Sequence, residues 1–329
     1  MVAIQDELLR RLFAGPSWER LRSLGRVVVS PTPQDHLSPS ARELLGEADV
    51  LVTGWGTAMV DAAVLDAAPR LKAVVHTAGS VKAFASPDCY ERGVAISSQA
   101  SALAGPVAEY TLAMILLAAK GAFRAERIYR SRRAAFHTQS ELASYGVHGT
   151  RIGIIGASMV GRKVIELLRP FHLEVVVADP TIDDAAAHSL GVRRIGLDEL
   201  MATCPVVSLH APILEDTIGM ITASHLRSLP DGATFINTAR GVLVDQAALV
   251  AELETGRIEG ILDVTHPEVN EPGSPLWQLP NLVLTPHIAG PLGTELELLS
   301  SAAVDEIDRV LSGRSLHRAV EPSRYHALA

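Results

Sequence analysis

Residues 150–161 read TRIGIIGASMVG, an Ile-rich run that enters a glycine-containing turn and then a helical stretch. Such a run is typical of a buried strand. Gly156 permits a tight turn, and Gly161 permits close packing of the helix on the strand. Ser158 stands at the middle position of a G-x-G-x-x-G pattern; it is small, and its hydroxyl can donate to a phosphate oxygen. The stretch therefore predicts a strand–turn–helix unit whose helix N-terminus binds the pyrophosphate of a dinucleotide.

An acidic residue follows at the distance that this pattern requires. Asp179 closes the next strand-like run, 18 residues beyond Gly161. A carboxylate there accepts hydrogen bonds from the ribose hydroxyls of NAD and repels the 2′-phosphate of NADP. The alternative is a turn or cap acid before Pro180. A nucleophile elbow at Ser158 has little support, because Val160 stands where that motif needs its last glycine.

The rest of the chain alternates between short apolar runs and helical stretches. Four runs precede the quoted stretch, at residues 26–30, 49–54, 71–77 and 94–98, and five follow it, at residues 173–180, 204–212, 233–241, 259–265 and 281–287. Apolar strands separated by helices indicate parallel sheets that are covered on both faces. The predicted fold class is α/β, with two doubly wound parallel-sheet domains.

Residues 107–133 are predicted to form one long helix, with Gly121 as the candidate for a bend. Its first half is apolar nearly all round and is expected to be buried. Its second half carries five arginines. A solvated face or a subunit contact is the favoured interpretation of these arginines, and an anion or partner site is the alternative.

Length and composition exclude several classes of protein. At 329 residues, 48% of them hydrophobic and 20% charged, the chain can bury a core and corresponds to about two domains. Its net charge of −8 argues against nucleic acid as the main partner. Two cysteines, Cys89 and Cys204, make neither a disulfide framework nor a zinc site by themselves, and we predict no metal. A cytoplasmic protein without a membrane segment is expected.

Unusual polar residues follow three strand-like runs in the second half. Arg240 follows residues 233–239, Asp263 lies at the end of the next run with Glu268 five residues on, and His287 follows Pro286. The carboxyl ends of parallel strands lie at one edge of a sheet, where ligands bind. Each residue alone fits an ordinary surface or loop role, but together beside a nucleotide turn they indicate one active site.

Reduction of a 2-oxo acid suits these side chains. Arg240 can hold a substrate carboxylate with two hydrogen bonds. His287 can supply a proton to the oxygen while hydride reaches the carbon. Glu268 as a neighbouring carboxylate would stabilise the imidazolium form. Asp263 is expected to orient the nicotinamide carboxamide or to support the site.

These motifs together resemble the D-isomer-specific 2-hydroxyacid dehydrogenases, the family of D-lactate, D-glycerate and D-3-phosphoglycerate dehydrogenases and glyoxylate/hydroxypyruvate reductases. The resemblance runs from about Leu71 to Gly290 and rests on GASMVG, Asp179, SLHAP, INTARG, LDVTHPE and TPHIAG in the family's order and spacing. It implies that Arg240 binds the substrate carboxylate and that Glu268 pairs with a catalytic His287, with NAD as the cofactor.

The resemblance also implies roles for further residues. The implied cofactor-binding residues are Gly156, Ser158, Met159, Val160, Gly161, Asp179, His210, Ala211, Thr238, Ala239, Arg240, Asp263, His287 and Gly290. The implied substrate residues are Ala78, Gly79, Ser80, Arg240 and His287, and the loop HTAGS would offer backbone N–H groups of Gly79 and Ser80 to the substrate carboxylate. Trp277 and His266 are candidates to border the substrate side chain, with packing as the equal alternative.

The resemblance further implies a cofactor domain inserted into the substrate domain. Residues 107–290 would form the NAD-binding Rossmann domain, and residues 1–106 and 291–329 a discontinuous, flavodoxin-like substrate domain. A homodimer through the cofactor domain and the long helix is implied as well. The chain departs from the family at Ser158, at T-A-G in the substrate loop, in QASALAGPVAE and in PEVNEP, and these departures bear on the substrate rather than on the reaction.

Two rival functions stay open at this point. One is an NADP-preferring glyoxylate/hydroxypyruvate reductase, against which Asp179 argues. The other is a non-catalytic NAD-sensing interaction protein, since a corepressor branch of the family retains the same three catalytic residues. Turnover with a panel of 2-oxo acids separates the second rival from an enzyme.

Overall fold

The structure, a computed structural model, describes residues 1–327. By its internal contacts the chain divides into two compact units. The first unit comprises Met1–Leu103 and Pro291–Ala329, and the second comprises Ala104–Gly290. The predicted split into a substrate domain and a cofactor domain concerns the roles of these units and stays a prediction.

The first unit contains a parallel sheet with helices. Its strands are β1 (Val2–Ala3), β2 (Val50–Thr53), β3 (Ala73–His76) and β4 (Ala95–Ser98), paired in that order. Its helices are α1 (Asp6–Leu12), α2 (Pro16–Ser23), α3 (Pro39–Gly46), α4 (Ala62–Asp66), α5 (Asp88–Glu91) and α14 (Leu296–Leu311). Helix α6 (Ala100–Ala119) contains the boundary between the units.

The second unit contains a larger parallel sheet. Its strands are β5 (Arg151–Ile155), β6 (Glu174–Ala178), β7 (Arg193–Arg194), β8 (Val206–Leu209), β9 (Thr234–Asn237), β10 (Glu259–Leu262) and β11 (Leu282–Leu284). Its helices after α6 are α7 (Ala122–Arg132), α8 (Thr138–Glu141), α9 (Met159–Leu168), α10 (Asp184–Ser189), α11 (Leu197–Thr203), α12 (Ala223–Ser228) and α13 (Gln246–Glu254). The strand order is β11-β10-β9-β8-β5-β6-β7, so the chain reverses direction across the sheet beside β5.

Both faces of the larger sheet are covered, as the α/β prediction requires. Side chains alternate along β5, so Ile152 and Ile154 pack into one core and Ile155 into the core on the opposite face. The paired strands are all parallel. The loops after their carboxyl ends therefore share one edge, and they contain Gly156, Asp179, His210, Thr238, Asp263 and Thr285. The α/β fold class with two parallel sheets is confirmed.

One predicted strand is wrong, and two short strands were missed. Residues 26–30 form no regular strand; only Val29 makes an isolated bridge, to Val2. The strand at that edge is instead β1, and the two-residue β7 closes the other sheet. Strands of two residues are too short to show an alternating pattern, which is why the sequence did not indicate them.

The single long helix predicted for residues 107–133 is wrong. Helix α6 begins at Ala100 and ends at Ala119, and Gly121 with φ of 67° precedes α7. The burial expected for its apolar half holds for one face of the helix only, because Leu117 is 40% exposed. The buried face is the one that carries Ala104, Ala108, Thr111, Ile115 and Ala118 at helical spacing.

Among the described residues, α6 is also the one helix long and apolar enough, by length and composition, to cross a membrane. Core helices of soluble proteins pass the same test, and 39% of the tested window is buried. The feature therefore gives little support to a membrane span.

The arginines of α7 are engaged in ion pairs. Nη2 of Arg127 lies 2.5 Å from Oε1 of Glu259, and Nη1 of Arg124 lies 3.3 Å from the same oxygen. Arg130 pairs with Glu126, and Arg132 with Glu141. Because each of these four arginines already has a carboxylate partner, the pattern favours a structural, solvated face over an anion site.

Candidate active site

The glycine turn after β5 has room only for glycine at two positions. Gly156 has φ of +93°, and a Cβ there would lie 2.7 Å from the backbone N of Ala211. A Cβ on Gly161 would lie 2.0 Å from the carbonyl oxygen of Gly156. The turn thus packs directly against the chain after β8, and it exposes its backbone where a side chain would otherwise stand.

Helix α9 presents free donors at this turn. Ser158 is its N-cap, and Oγ accepts a hydrogen bond of 3.3 Å from the N–H of Gly161. The backbone N–H groups of Met159 and Val160 donate to no group within residues 1–327. The Ser158 hydroxyl proton stays available because the oxygen acts there as an acceptor. These groups and the positive end of the helix dipole fit an anion.

Asp179 lies beside the same turn. Its Oδ2 accepts a hydrogen bond of 2.6 Å from the N–H of Ala157. Its Oδ1 accepts from the N–H of Thr181 at 2.7 Å and from the Thr181 hydroxyl at 2.6 Å. A carboxylate has about four acceptor positions, so one on Oδ2 remains for a ribose hydroxyl. Asp179 thus holds the turn and keeps one acceptor position unused.

His210 and Ala211 form the buried wall behind the turn. His210 is 3% exposed and Ala211 is 7% exposed. Burial lowers the pKa of His210 to about 3, so its ring is neutral near pH 7. Its Nε2 lies 2.9 Å from the Ser208 hydroxyl. The predicted cofactor contact of this pair is therefore an uncharged one.

Arg240 lies on the loop after β9, and the Asn237 side chain bonds to the backbone of this loop. The Asn237 amide donates to the Arg240 carbonyl at 2.9 Å and accepts from the Ala239 N–H at 2.9 Å. Burial lowers the pKa of Arg240, while the nearby Glu268 carboxylate opposes that shift, and the guanidinium stays charged. Gly241 is also required, because a Cβ there would lie 2.1 Å from the carbonyl carbon of Thr265.

His287 and Glu268 form a hydrogen-bonded pair, although 19 residues separate them. Nδ1 of His287 lies 2.5 Å from Oε1 of Glu268, and their side chains are 46% and 56% exposed. His287 has φ of 55°, in the left-handed region that few non-glycine residues adopt. Because Nδ1 contacts Glu268, Nε2 is the ring nitrogen that is left to exchange a proton.

A network of side chains shapes the loop that presents Glu268. The Thr265 hydroxyl donates to the carbonyl of Pro267 at 2.8 Å and accepts from the Asn270 amide at 2.9 Å. Gln246 bonds to Asn270 at 3.2 Å and to the N–H of His266 at 2.8 Å. His266 thus contributes its backbone to this loop.

The Asp263 carboxylate is 1% exposed and serves the His287 loop. Oδ1 accepts from the Thr285 hydroxyl at 2.6 Å and from the N–H of Ile288 at 2.8 Å, and Oδ2 accepts from the N–H of Ala289 at 2.9 Å. Its backbone carbonyl accepts from the N–H of His287 at 2.9 Å. Two roles were expected for Asp263. These bonds fit the second role, support of the site, because they hold the loop that carries His287.

In the first unit, the loop after β3 contains the predicted substrate residues. Ala78 is buried and its carbonyl accepts from the N–H of Gln99 at 2.9 Å. The N–H groups of Gly79 and Ser80 donate to no group in the part of the chain that the structure describes. Below the loop, His76 bonds to Thr53 at 2.9 Å and stacks on Phe84. This loop can therefore offer two backbone donors to an anion.

Other predicted residues have less distinctive surroundings. Thr238 and Gly290 lie in the loops after β9 and β11, at the same edge as Gly156. Trp277 is 52% exposed, and its indole N–H donates to the carbonyl of Glu271 at 2.9 Å. Its exposed ring face stays a candidate for contact with a substrate.

Sequence reasoning missed the residues that hold the loops. Asn237, Gln246 and Asn270 brace the backbone, while Tyr110 and Thr111 bond to the loops after β11 and β9. Two neighbouring hydroxyl side chains on a largely apolar helix were a visible signal for Tyr110 and Thr111. No pattern marked the others, because their partners are far away in the sequence.

The residues at this edge fit a dinucleotide. The two obligatory glycines, the free N–H groups at the start of α9 and the acceptor position on Asp179 match a pyrophosphate and a ribose. We found in the described residues no group of three His, Cys, Asp or Glu side chains that could hold a metal ion.

Comparisons with known proteins show what the chain is similar to. A model of the family "D-isomer specific 2-hydroxyacid dehydrogenase, NAD binding domain" matches residues 112–289. A glyoxylate reductase of Korarchaeum cryptofilum is 32% identical over 262 residues, which are 78% of each chain. A D-3-phosphoglycerate dehydrogenase of Mycobacterium tuberculosis is 30% identical over 83% of this chain, which spans only 51% of that relative. A solved D-lactate dehydrogenase of Treponema pallidum has 25% identity and a TM-score of 0.74, with 97% of this chain and 98% of that one covered.

Proposed function

Because the chain belongs to the D-isomer-specific 2-hydroxyacid dehydrogenase family and is thus an NAD-dependent oxidoreductase, we propose that it interconverts a small 2-oxo acid and the D-2-hydroxy acid. Arg240 binds the substrate carboxylate, His287 exchanges the proton and Glu268 stabilises the charged imidazole. The observation that carries the proposal is the 2.5 Å contact between Nδ1 of His287 and Oε1 of Glu268, at the sheet edge that also bears the glycine turn.

The cofactor would be held by the groups that are free at this edge. The N–H groups of Met159 and Val160 and the Ser158 hydroxyl would bind the pyrophosphate, and Asp179 would accept a ribose hydroxyl. Asp179 carries negative charge where NADP has its 2′-phosphate, so we propose a preference for NAD. When bound, the reduced cofactor supplies the hydride for C2.

The chain's own residues handle the carboxylate and the proton. The Arg240 guanidinium offers a bidentate contact that fixes the substrate's C1 carboxylate and so orients C2. As C2 gains hydride, the carbonyl electron pair moves to oxygen, and Nε2–H of His287 protonates that oxygen. Nδ1–H of His287 stays bonded to Glu268, which fixes the ring orientation and stabilises the imidazolium. Oxidation of the hydroxy acid reverses each transfer.

The substrate class is a small 2-oxo acid. Relatives of this chain are a glyoxylate reductase, D-3-phosphoglycerate dehydrogenases and a D-lactate dehydrogenase. We propose that the second unit holds NAD and that the free N–H groups of Gly79 and Ser80 in the first unit bind an anion. Trp277, with its half-exposed ring, is proposed to border the substrate side chain.

The test is a steady-state assay of glyoxylate, hydroxypyruvate, pyruvate, 3-phosphohydroxypyruvate and branched 2-oxo acids with NADH and with NADPH. We expect turnover of at least one small acid, a D-configured product for every acid whose C2 becomes chiral, and faster turnover with NADH. Binding of NADH without turnover of any acid would instead favour the NAD-sensing protein. Faster turnover with NADPH would favour the NADP-preferring reductase.

We further propose that the protein is a cytoplasmic homodimer. Leu117 is 40% exposed on α6, and β11 is an edge strand of its sheet. Both cysteines are free and buried, which suits a reducing compartment. Sedimentation equilibrium of the wild type and of Leu117→Arg tests the dimer, and cell fractionation tests the location.

A further inference from the structure

Two consecutive residues of helix α6 bond to two different loops of the candidate site. The Tyr110 hydroxyl lies 2.9 Å from the Thr285 hydroxyl, in the segment between β11 and His287. The Thr111 hydroxyl lies 2.9 Å from the Thr238 hydroxyl, in the segment between β9 and Arg240. One helical turn thus contacts both segments that lead to the proposed catalytic residues.

The direction of each hydrogen bond follows from the other partners of the hydroxyls. Thr285 donates its proton to the Asp263 carboxylate at 2.6 Å, because an ionised carboxylate only accepts. Tyr110 must therefore be the donor to Thr285. Similarly, Thr111 donates to the carbonyl of Val107 at 2.8 Å, so Thr238 donates to Thr111.

The Tyr110 bond reaches the backbone turn of His287 through one carboxylate. Thr285 and the N–H groups of Ile288 and Ala289 share the oxygens of Asp263. This arrangement surrounds His287, whose φ of 55° is costly for a side chain with Cβ. A Tyr110 hydroxyl that polarises Thr285 thereby strengthens the cluster that holds this conformation.

The Thr111 bond acts on the other loop. Thr238 follows Asn237, whose side chain braces Ala239 and Arg240. Thr111 is fully buried and Thr238 is 7% exposed, so neither hydroxyl has bulk water as a ready substitute partner. Because the Thr238 hydroxyl donates its proton to Thr111, the Thr238 oxygen can only accept hydrogen bonds from a bound cofactor.

We propose that Tyr110 and Thr111 are positioning residues with separate tasks, Tyr110 for the His287 turn and Thr111 for the Arg240 loop. The division of tasks in catalysis rests on the proposed function. The separate effects on the backbone stability of the two loops do not rest on the proposed function. The structural and the catalytic parts of the proposal can therefore be tested separately.

The first test is residue-resolved amide hydrogen exchange by NMR on the full chain. In Tyr110→Phe, the amides of Ile288 and Ala289 should exchange about tenfold faster, while Ala239 changes by less than about twofold. In Thr111→Val the pattern should reverse. Thr285→Val, which breaks the same bridge without touching α6, should reproduce the Tyr110→Phe pattern, and Thr111→Ser should restore the wild-type rates.

Matched controls separate these contacts from the general effect of each substitution. Tyr129→Phe removes a hydroxyl from a tyrosine that is 62% exposed. Thr203→Val removes a bond to the carbonyl four residues earlier, as Thr111→Val does, but without a link to another loop. Neither control should change exchange at Ile288, Ala289 or Ala239. Equal acceleration at both loops in both variants, or no acceleration in either, would overturn the proposal.

The second test is the split between kcat and KM. Tyr110→Phe should lower kcat about three- to tenfold with KM for the 2-oxo acid nearly unchanged, and Thr111→Val should raise that KM by a similar factor with kcat nearly unchanged. The same change in both variants would contradict separate tasks. If the wild type turns over no 2-oxo acid, the proposed function fails, and the exchange data still decide the positioning roles.

Discussion

Nδ1 of His287 lies 2.5 Å from Oε1 of Glu268, and this contact leaves Nε2 as the free ring nitrogen. Two loops of the chain bring these side chains together. The loop after β10 presents Glu268 through the bonds of Thr265, and the loop after β11 holds His287 in a left-handed conformation. The pair therefore depends on both loops.

Glu268→Gln should lower kcat about tenfold to a hundredfold, because an amide cannot stabilise the imidazolium as a carboxylate does. Steady-state kinetics with the best 2-oxo acid measures this, and the Kd for NADH should stay within about twofold. Asp198→Asn is the matched control, since Asp198 pairs with His225 at 3.1 Å but lies at α11. An unchanged kcat in Glu268→Gln would remove Glu268 from the mechanism.

Gly161→Ala should weaken NADH binding by at least about tenfold and destabilise the second unit. The added Cβ would lie 2.0 Å from the Gly156 carbonyl oxygen, so the turn must move. Calorimetric titration with NADH and urea unfolding measure the two effects. Gly105→Ala is the control, because a Cβ there meets nothing within 4 Å and alanine favours the helix. Wild-type affinity in Gly161→Ala would contradict the cofactor site.

Asp179→Asn should reduce the preference for NADH over NADPH by about tenfold, because the repulsion of a 2′-phosphate disappears. Asparagine can still accept from the N–H groups of Ala157 and Thr181, so the turn should persist. The ratio of the two Kd values, measured by protein fluorescence quenching, is the readout. Asp183→Asn, which removes a carboxylate from the N-cap of α10, serves as the control. An unchanged ratio would assign Asp179 to turn structure alone.

Acid should destabilise the protein partly through His210. Burial lowers its folded-state pKa from 6.5 to about 3, so between these values the unfolded chain binds the extra proton. This contribution is fully present above about pH 6.5 and is lost as pH falls towards 3. Urea unfolding between about pH 4 and 6 should show a slope of stability against pH that is lower by about 1 kcal/mol per pH unit in His210→Gln. The exposed His137→Gln should keep the wild-type slope, and an equal slope in both variants would contradict the neutral buried ring.

The parallel sheets and the edge that carries the site could be predicted from local patterns. An Ile-rich run before Gly156 and polar residues after apolar runs need only the rule that parallel strands share their carboxyl ends. Arg240, Asp263 and His287 were found in this way, and the structure brings Glu268 to His287 as the sequence predicted.

The hydrogen bonds that hold the loops of the site could not be predicted from the sequence. Tyr110 and Thr285 are 175 residues apart, and their contact depends on how α6 packs on the sheet. The largely apolar composition of α6 likewise concealed which face is buried, and the predicted helix left out its first residues, from Ala100 to Pro106. Tertiary packing of this kind can override the local helix propensity of individual residues.

The central claim is that His287 exchanges the proton during NADH-dependent reduction of a 2-oxo acid. Single-turnover oxidation of bound NADH by the best substrate tests it most directly, in the wild type, in His287→Ala and in the control His225→Ala. We predict that the rate in His287→Ala falls about a hundredfold to ten-thousandfold, with NADH affinity retained and His225→Ala close to wild type. A rate in His287→Ala within about twofold of the wild type would contradict the account.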